Sequence, residues 1–267
     1  MRFTIFKALY FLSLSIFSGN IVAETYTLAV QPVLPAKQIK QNYKPLADYL
    51  SEKTGHTFVI QSYRNFLTYW IKMKKKKGND MDFILDAAHF TDFRVQRKNY
   101  KVLVKMLDTV SFTVVTNEDN FVFEMEELIT KKIATMPSPG LSAVRLNEMF
   151  PNPMRIPLYI QANDSVDAVN KVLDGTVMAA IIPSPLVGNY DELNSIISTE
   201  PVPHMALSAA PTVPDDVIQK VKIALLQATE TTDGQKMLED LKIAGFETTN
   251  AEVYAGYANL LDGVFGY

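Results

Sequence analysis

The chain contains no cysteine, which excludes thiolate zinc sites, iron–sulfur clusters, thiol catalysis and lipid attachment at a processed N-terminal cysteine. Histidine is scarce too: His56, His89 and His204 are the only three, so little is left for an imidazole-based metal or acid–base centre. Positive charge is not in surplus, because 26 Lys and Arg face 29 Asp and Glu for a net charge of −3. The basic footprint that a nucleic acid requires is therefore missing. Also absent are a phosphate-binding glycine loop, a dinucleotide fingerprint and an HExxH pair, and Gly140-Leu141-Ser142-Ala143 lacks the closing glycine of a serine-hydrolase elbow. Together these absences argue against an enzyme and against a bound cofactor. What is present is a folded globular composition, with 48% hydrophobic and 21% charged residues and 14 prolines in 267 positions.

The N-terminus points to export. Arg2 and Lys7 precede an apolar stretch, Ala8–Phe17, and Ile21-Val22-Ala23 offers a small residue before Glu24, which is the three-part pattern of a signal peptide cleaved near Ala23. The apolar core is about ten residues, half of what a bilayer-spanning helix needs, and no later stretch is long enough. The expectation is an exported, soluble periplasmic chain from residue 24, with 24 basic and 29 acidic residues once Arg2 and Lys7 are removed.

Periodicity then gives two rounds of strands and helices. Thr25–Val30, His56–Gln61, Met81–Leu85 and Lys101–Leu107 read as strands, separated by helices with apolar faces that include Leu46 and Leu50, then Phe66, Tyr69, Trp70 and Met73, then Phe90–Arg97. Gly55 stops the first of these helices and Pro45 suits its first turn. The second round has strands at Ser111–Thr116, Lys132–Met136, Met154–Ile160 and Val177–Pro183, with helices from Ser138-Pro139-Gly140 through Phe150 and over Ser165–Leu173. Three helices are expected from Val213 to Tyr267, the last carrying Val253, Tyr257 and Leu261. This alternation is the mark of α/β architecture, two mostly parallel sheets flanked by helices. A ligand is expected between the two lobes, where loops at the carboxyl ends of the sheets converge.

Three segments carry chemistry. Asp82, Asp86, His89 and Asp92 gather near the end of the third strand; a transition metal is one reading, and Asp86 capping the next helix with Asp92 in solvent is the other. No metal is assigned. Met136–Ser142 runs from a strand into a serine-containing helix start, which suits an oxyanion at the positive helix end and equally suits an ordinary N-cap with Pro139 at N1. The basic run Lys74–Lys77 closes a helix, where cations complement the dipole, and docking to an anionic surface is the alternative.

The ordered blocks resemble a family. Tyr26–Val30 with Tyr43-Lys44-Pro45-Leu46-Ala47-Asp48-Tyr49-Leu50 and Thr54-Gly55, then Asp82–Phe90, Lys131–Ser142, Asp164–Ala180, Pro201-Val202-Pro203, and Thr232-Asp233-Gly234-Gln235 with Leu238 are similar to the phosphate/phosphite/phosphonate periplasmic solute-binding proteins of ABC importers. The resemblance covers nearly all of the chain after residue 23. It implies the type 2 periplasmic-binding-protein fold: residues 24–110 in lobe 1, 111–200 in lobe 2, and 201–267 as the return crossover and C-terminal helices, mainly in lobe 1. It also implies a two-strand hinge near Asp108–Phe112 and Glu200–Met205, no catalysis, a membrane permease as partner, and a monomer that binds no nucleic acid. The ligand-binding residues it implies are Asp86, His89, Phe90, Ser138, Gly140, Ser142, Asn163 and Met178.

The implied ligand is a phosphate- or phosphonate-like oxyanion, but the residues at its site depart from the family's pattern. Ser138-Pro139-Gly140-Leu141-Ser142 stands where the family has a serine-threonine cradle, Phe90 where it has a tyrosine, Asn163 where it has a histidine and Met178 where it has an aspartate. Each change removes polar or ionic capacity. A less polar, lipid-like ligand is therefore one alternative, and a sensory protein that signals to a membrane receptor is another.

Overall fold

The computed structural model describes residues 23–75 and 81–264. The expected signal peptide and the Lys76–Lys77 end of the basic run lie outside the described residues. Among the described residues no helix is long and apolar enough to cross a membrane.

The first lobe is built by β1 (Thr25–Val30), α1 (Ala36–Asn42), α2 (Lys44–Thr54), β2 (Thr57–Gln61), α3 (Phe66–Lys74), β3 (Phe83–Asp86), α4 (Ala88–Lys98) and β4 (Lys101–Met106). The chain crosses over at β5 (Thr109–Val110). It then forms β6 (Phe112–Asn117), β7 (Lys132–Thr135), α5 (Leu141–Met149), β8 (Leu158–Gln161), α6 (Ser165–Leu173), β9 (Ala179–Pro183), α7 (Ser184–Val187) and β10 (Leu193–Ser198). It returns through β11 (Val202–Pro203), β12 (Ala206–Ala209), α8 (Asp215–Leu226), α9 (Thr232–Leu241) and β13 (Phe246–Thr248).

One sheet has the order β13-β4-β12-β3-β1-β2 and the other β10-β6-β9-β7-β8, while β5 and β11 form a separate antiparallel ribbon with Val110 opposite Val202. That ribbon connects the two sheets, where the hinge is expected. In the first sheet β1, β2, β3 and β4 run one way, but β12 sits antiparallel between β3 and β4. The return crossover thus donates a strand that the βαβ rhythm does not announce, because Ala206, Leu207, Ser208 and Ala209 are too small and too few to signal one; all four are buried.

Local chemistry explains the element ends. Gly55 terminates α2 at φ 77°, a left-handed conformation that costs a glycine little. Asp164 caps α6 by accepting from the Asp167 N–H at 2.8 Å. At the C-terminus the expected third helix is replaced by two 3₁₀ turns, Ala251–Tyr254 and Tyr257–Leu261, split by Gly256 at φ 91°. The first-lobe core centres on Leu28, Trp70, Tyr69, Phe83 and Leu50, all fully buried. Each such side chain contributes about 1.5–3 kcal/mol relative to exposure.

Candidate functional site

A cavity of about 260 Å³ lies between the lobes. Gln31 and Ala87 reach it from the carboxyl ends of β1 and β3, Met136 and Pro183 from those of β7 and β9, and Val110, His204 and Met205 from the hinge. Phe66, Phe112 and Leu141 complete most of an apolar wall. This is the strand-end crevice where open α/β sheets place ligands.

Four polar side chains face the cavity. Gln31 is 5% exposed; its Oε1 accepts from the Ala87 N–H at 3.1 Å, and its Nε2 donates to the Met205 thioether at 2.9 Å, a weak acceptor. Ser142, 3% exposed, has the Thr135 hydroxyl at 3.4 Å as its hydrogen-bond neighbour. Ser165 opens α6. His204 Nδ1 accepts from the Met205 N–H at 2.7 Å, so the neutral ring carries its proton on Nε2. Burial, followed by the Lys105 charge, holds the His204 pKa below its ordinary value.

Beside the cavity the lobes touch directly. His89 Nε2 donates to the Pro139 carbonyl oxygen at 2.8 Å, a bond from α4 to the loop that opens α5. Burial pulls the His89 pKa down to about 4, despite the opposing effect of that bond. Its Nδ1 is buried without a hydrogen-bond partner. Next to it Gly140 packs so closely that an added Cβ would stand 3.0 Å from the Phe66 ring and 3.0 Å from the Pro137 carbonyl oxygen.

The structure brings only part of the predicted set together. Ser142 lines the cavity, and His89 and Gly140 form the lobe contact. Asp86 does not face the cavity: it is fully buried, paired with Arg94 through Nη1 and through Nη2 at 2.6 Å, and it accepts from Tyr69 and Thr91 hydroxyls. Burial disfavours the Arg94 charge, but the adjacent Asp86 carboxylate more than offsets this and holds its pKa above the ordinary value. Burial, reinforced by Asp86, also raises the Tyr69 hydroxyl. Nor does Asp86 cap α4, whose N-cap is Ala87.

Phe90 is fully buried among Phe66, Tyr69 and Trp70. Met178 precedes β9 and donates its N–H to the Lys132 carbonyl, at the opposite end of the strands from Met136 and Pro183. Ser138 is exposed. Asn163 is exposed as well and lies with Arg64 and Gln161 in a neighbouring groove that shares Met136. The Asp82, Asp86, His89, Asp92 quartet is also dispersed. Asp82 accepts from the Thr27 N–H and hydroxyl, and Asp92 is 2% exposed rather than solvated, accepting the Ala258 N–H at 2.8 Å. Among the described residues no group of three metal-binding side chains forms.

Sequence reasoning missed Gln31, His204 and Met205. Gln31 had a signal, since it directly follows the first strand of an α/β unit, where ligand contacts concentrate. His204 and Met205 fall within the expected hinge segment Glu200–Met205, but nothing in the sequence turns their side chains to the cavity, because that depends on how the return strand pairs. Of the aromatic stripe on α3, Phe66 is the ring that reaches the cavity.

These features define a two-lobed binding protein whose ligand site is an interlobe crevice. The chain belongs to the phosphonate family of periplasmic substrate-binding proteins of ABC transporters, whose sequence model matches residues 28–254. Three solved structures share its fold. PhnD1 from Prochlorococcus marinus in complex with methylphosphonate has a TM-score of 0.75 and 10% identity, covering 90% of this chain and 97% of that one. A binding protein component of an ABC phosphonate transporter from Pseudomonas aeruginosa has a TM-score of 0.73 and 11% identity, covering 90% and 86%. XAC2383 from Xanthomonas citri bound to ATP has a TM-score of 0.71 and 14% identity, covering 90% and 99%. No curated protein sequence matches the chain.

Proposed function

We propose that this protein captures a small solute in the interlobe cavity and delivers it to the permease of an ABC importer, acting as a non-catalytic monomer exported by a signal peptide cleaved near Ala23. One observation carries the reading: the cavity is enclosed by both lobes and their hinge, beside a direct interlobe hydrogen bond from His89 to Pro139. A site built from two bodies joined by a two-stranded ribbon is emptied and filled by hinge motion, and contacts made only when the lobes meet select the closed form. Lobe 1 comprises residues 24–110 and lobe 2 residues 111–200, with the return crossover and C-terminal helices of 201–267 mainly in lobe 1, a division supported by which strands share a sheet.

The family and the methylphosphonate and ATP held by its structural relatives favour a solute with phosphoryl-type oxygens. Of the expected site residues, Ser142, Gly140 and His89 act in that capture in this reading, Ser142 as a donor to the solute and the other two by setting how closely the lobes meet. Asp86 and Phe90 act from beneath, as core that fixes α4. The test is to purify the protein natively from its own periplasm, denature it, and identify what is released by mass spectrometry. A stoichiometric small molecule is expected. Its absence, together with unchanged small-angle scattering when periplasmic extract metabolites are added, would overturn the reading.

A further inference from the structure

The cavity and the ligand expected from the family differ in charge. A phosphonate dianion taken out of water needs several charge-assisted hydrogen bonds to replace its hydration. Among the described residues, no Lys, Arg, Asp or Glu lines this cavity. The buried Arg94 guanidinium, which lies behind it, is committed to Asp86 by a two-point ion pair. Arg64 is exposed and lines the neighbouring groove with Asn163. The first turn of α5 adds the positive end of a helix dipole, equivalent to about half a charge. That favours an acceptor oxygen, and no cation among the described lining residues stands beside it to balance two negative charges.

What the cavity does supply is neutral. Gln31 is nineteen-twentieths buried and directs its amide N–H at a thioether, so its donor capacity is underused. Ser142 is equally secluded and holds only a long contact to Thr135. Both are weakly paired buried donors, and an oxygen acceptor from a ligand is a better partner for each than a thioether or a 3.4 Å hydroxyl. Around them Phe66, Met136, Leu141 and Met205 offer surface that gains from covering apolar atoms.

We propose that this cavity binds an uncharged solute, with an apolar body against Phe66, Met136, Leu141 and Met205 and a phosphoryl or carbonyl oxygen received by Gln31 and Ser142. The inference rests on the solute-binding reading above and narrows it: the family's phosphoryl-type oxygen is kept, and its charge is lost.

The experiment compares two probes that differ in charge and share the phosphoryl oxygen, methylphosphonate and its neutral diester dimethyl methylphosphonate, by isothermal titration calorimetry on the full processed chain. The diester is expected to bind at least about tenfold more tightly. Its affinity should not change between about 0.01 M and 1 M salt, over which the Debye length falls from about 30 Å to about 3 Å. Ser142→Ala should weaken the diester by about fivefold with unaltered melting, and Gln31→Met should do the same if it folds. Arg64→Gln should change nothing.

Tighter, salt-sensitive binding of methylphosphonate, or loss of binding in Arg64→Gln, would overturn the claim about charge and leave the protein a solute-binding one. Release of an anion from the native preparation would do likewise, whereas release of an uncharged molecule would uphold the claim even if both probes are too small to bind. Binding of neither probe, with nothing released from the native preparation and no change in small-angle scattering when periplasmic extract metabolites are added, would overturn both readings.

Discussion

His89 and Pro139 are fifty positions apart and belong to different lobes, yet the imidazole Nε2 of one lies 2.8 Å from the carbonyl oxygen of the other. A carbonyl only accepts, so His89 Nε2 carries the proton and Nδ1 is left as a buried lone pair. The bond exists only when the lobes are together. It is therefore worth more to the closed state than to either lobe alone.

Removing this donor should open the protein without unfolding it. His89→Leu keeps the buried volume and loses the bond, and about 1 kcal/mol of closed-state preference, or a five- to tenfold weaker solute affinity, should go with it. His89→Gln can place an amide N–H near the same carbonyl and should recover most of the affinity. A larger radius of gyration in small-angle scattering for His89→Leu, reversed in His89→Gln, checks the assignment. Equal behaviour of the two variants would mean the ring matters only as packing.

The same histidine makes stability depend on pH. Its folded pKa is about 4 because of burial, against about 6.5 when unfolded. As pH falls below about 6.5 the unfolded chain takes up a proton that the native one refuses, so stability declines until about pH 4 and is flat below it. The full loss is about 3 kcal/mol. Urea unfolding of the empty protein near pH 7 and near pH 4 should show this decline, and His89→Leu should lose that share of it. An unchanged pH slope in His89→Leu would assign the acid sensitivity to other groups.

Asp86 and Arg94 are expected to govern folding rather than binding. Asp86→Asn or Arg94→Met leaves one charged or strongly polar partner buried without its mate and should cost about 3–5 kcal/mol. The double variant Asp86→Leu/Arg94→Met should recover much of that, because both desolvation penalties disappear together. Thermal melts of the three variants, with solute titration of those that fold, check this. Weakened binding in a well-folded double variant would return Asp86 to the site.

Much of the frame was legible in sequence because it rests on periodicity and punctuation. The apolar spacing in α2 with Gly55 at its end, the Asp164 cap of α6 and the β-branched run ending at Pro183 all act locally, and the strands and helices fall close to where those signals put them. The site was less legible because its walls are set by pairings between distant segments. Met178 was placed in the crevice by its position within a motif, but the parallel register of β7 with β9 puts it at the far strand end. Asp86 had the right strand end and the wrong direction, since an arginine eight residues later on α4 draws its carboxylate inward. Gln31 and Met205 meet only because β12 inserts beside β3.

Gly140 offers the sharpest test of lobe closure. A methyl group there would stand 3.0 Å from the Phe66 ring across the lobe boundary and 3.0 Å from the Pro137 carbonyl oxygen, tighter than packed carbon atoms accept. The ring belongs to α3 in one lobe and the glycine to the N-cap of α5 in the other, so the strain of Gly140→Ala can be relieved by parting the lobes. Overpacking of this kind costs about 1–3 kcal/mol, charged here mainly against the closed form, so solute affinity should fall by about tenfold or more while melting of the empty protein changes little. Phe66→Leu removes the ring that the methyl meets, and in combination with Gly140→Ala it should restore affinity beyond what the two single effects predict when added. A double-mutant cycle on solute affinity measures that coupling. A cycle that sums to zero would mean the methyl clashes with Pro137 inside its own lobe and that Phe66 has no part in closure.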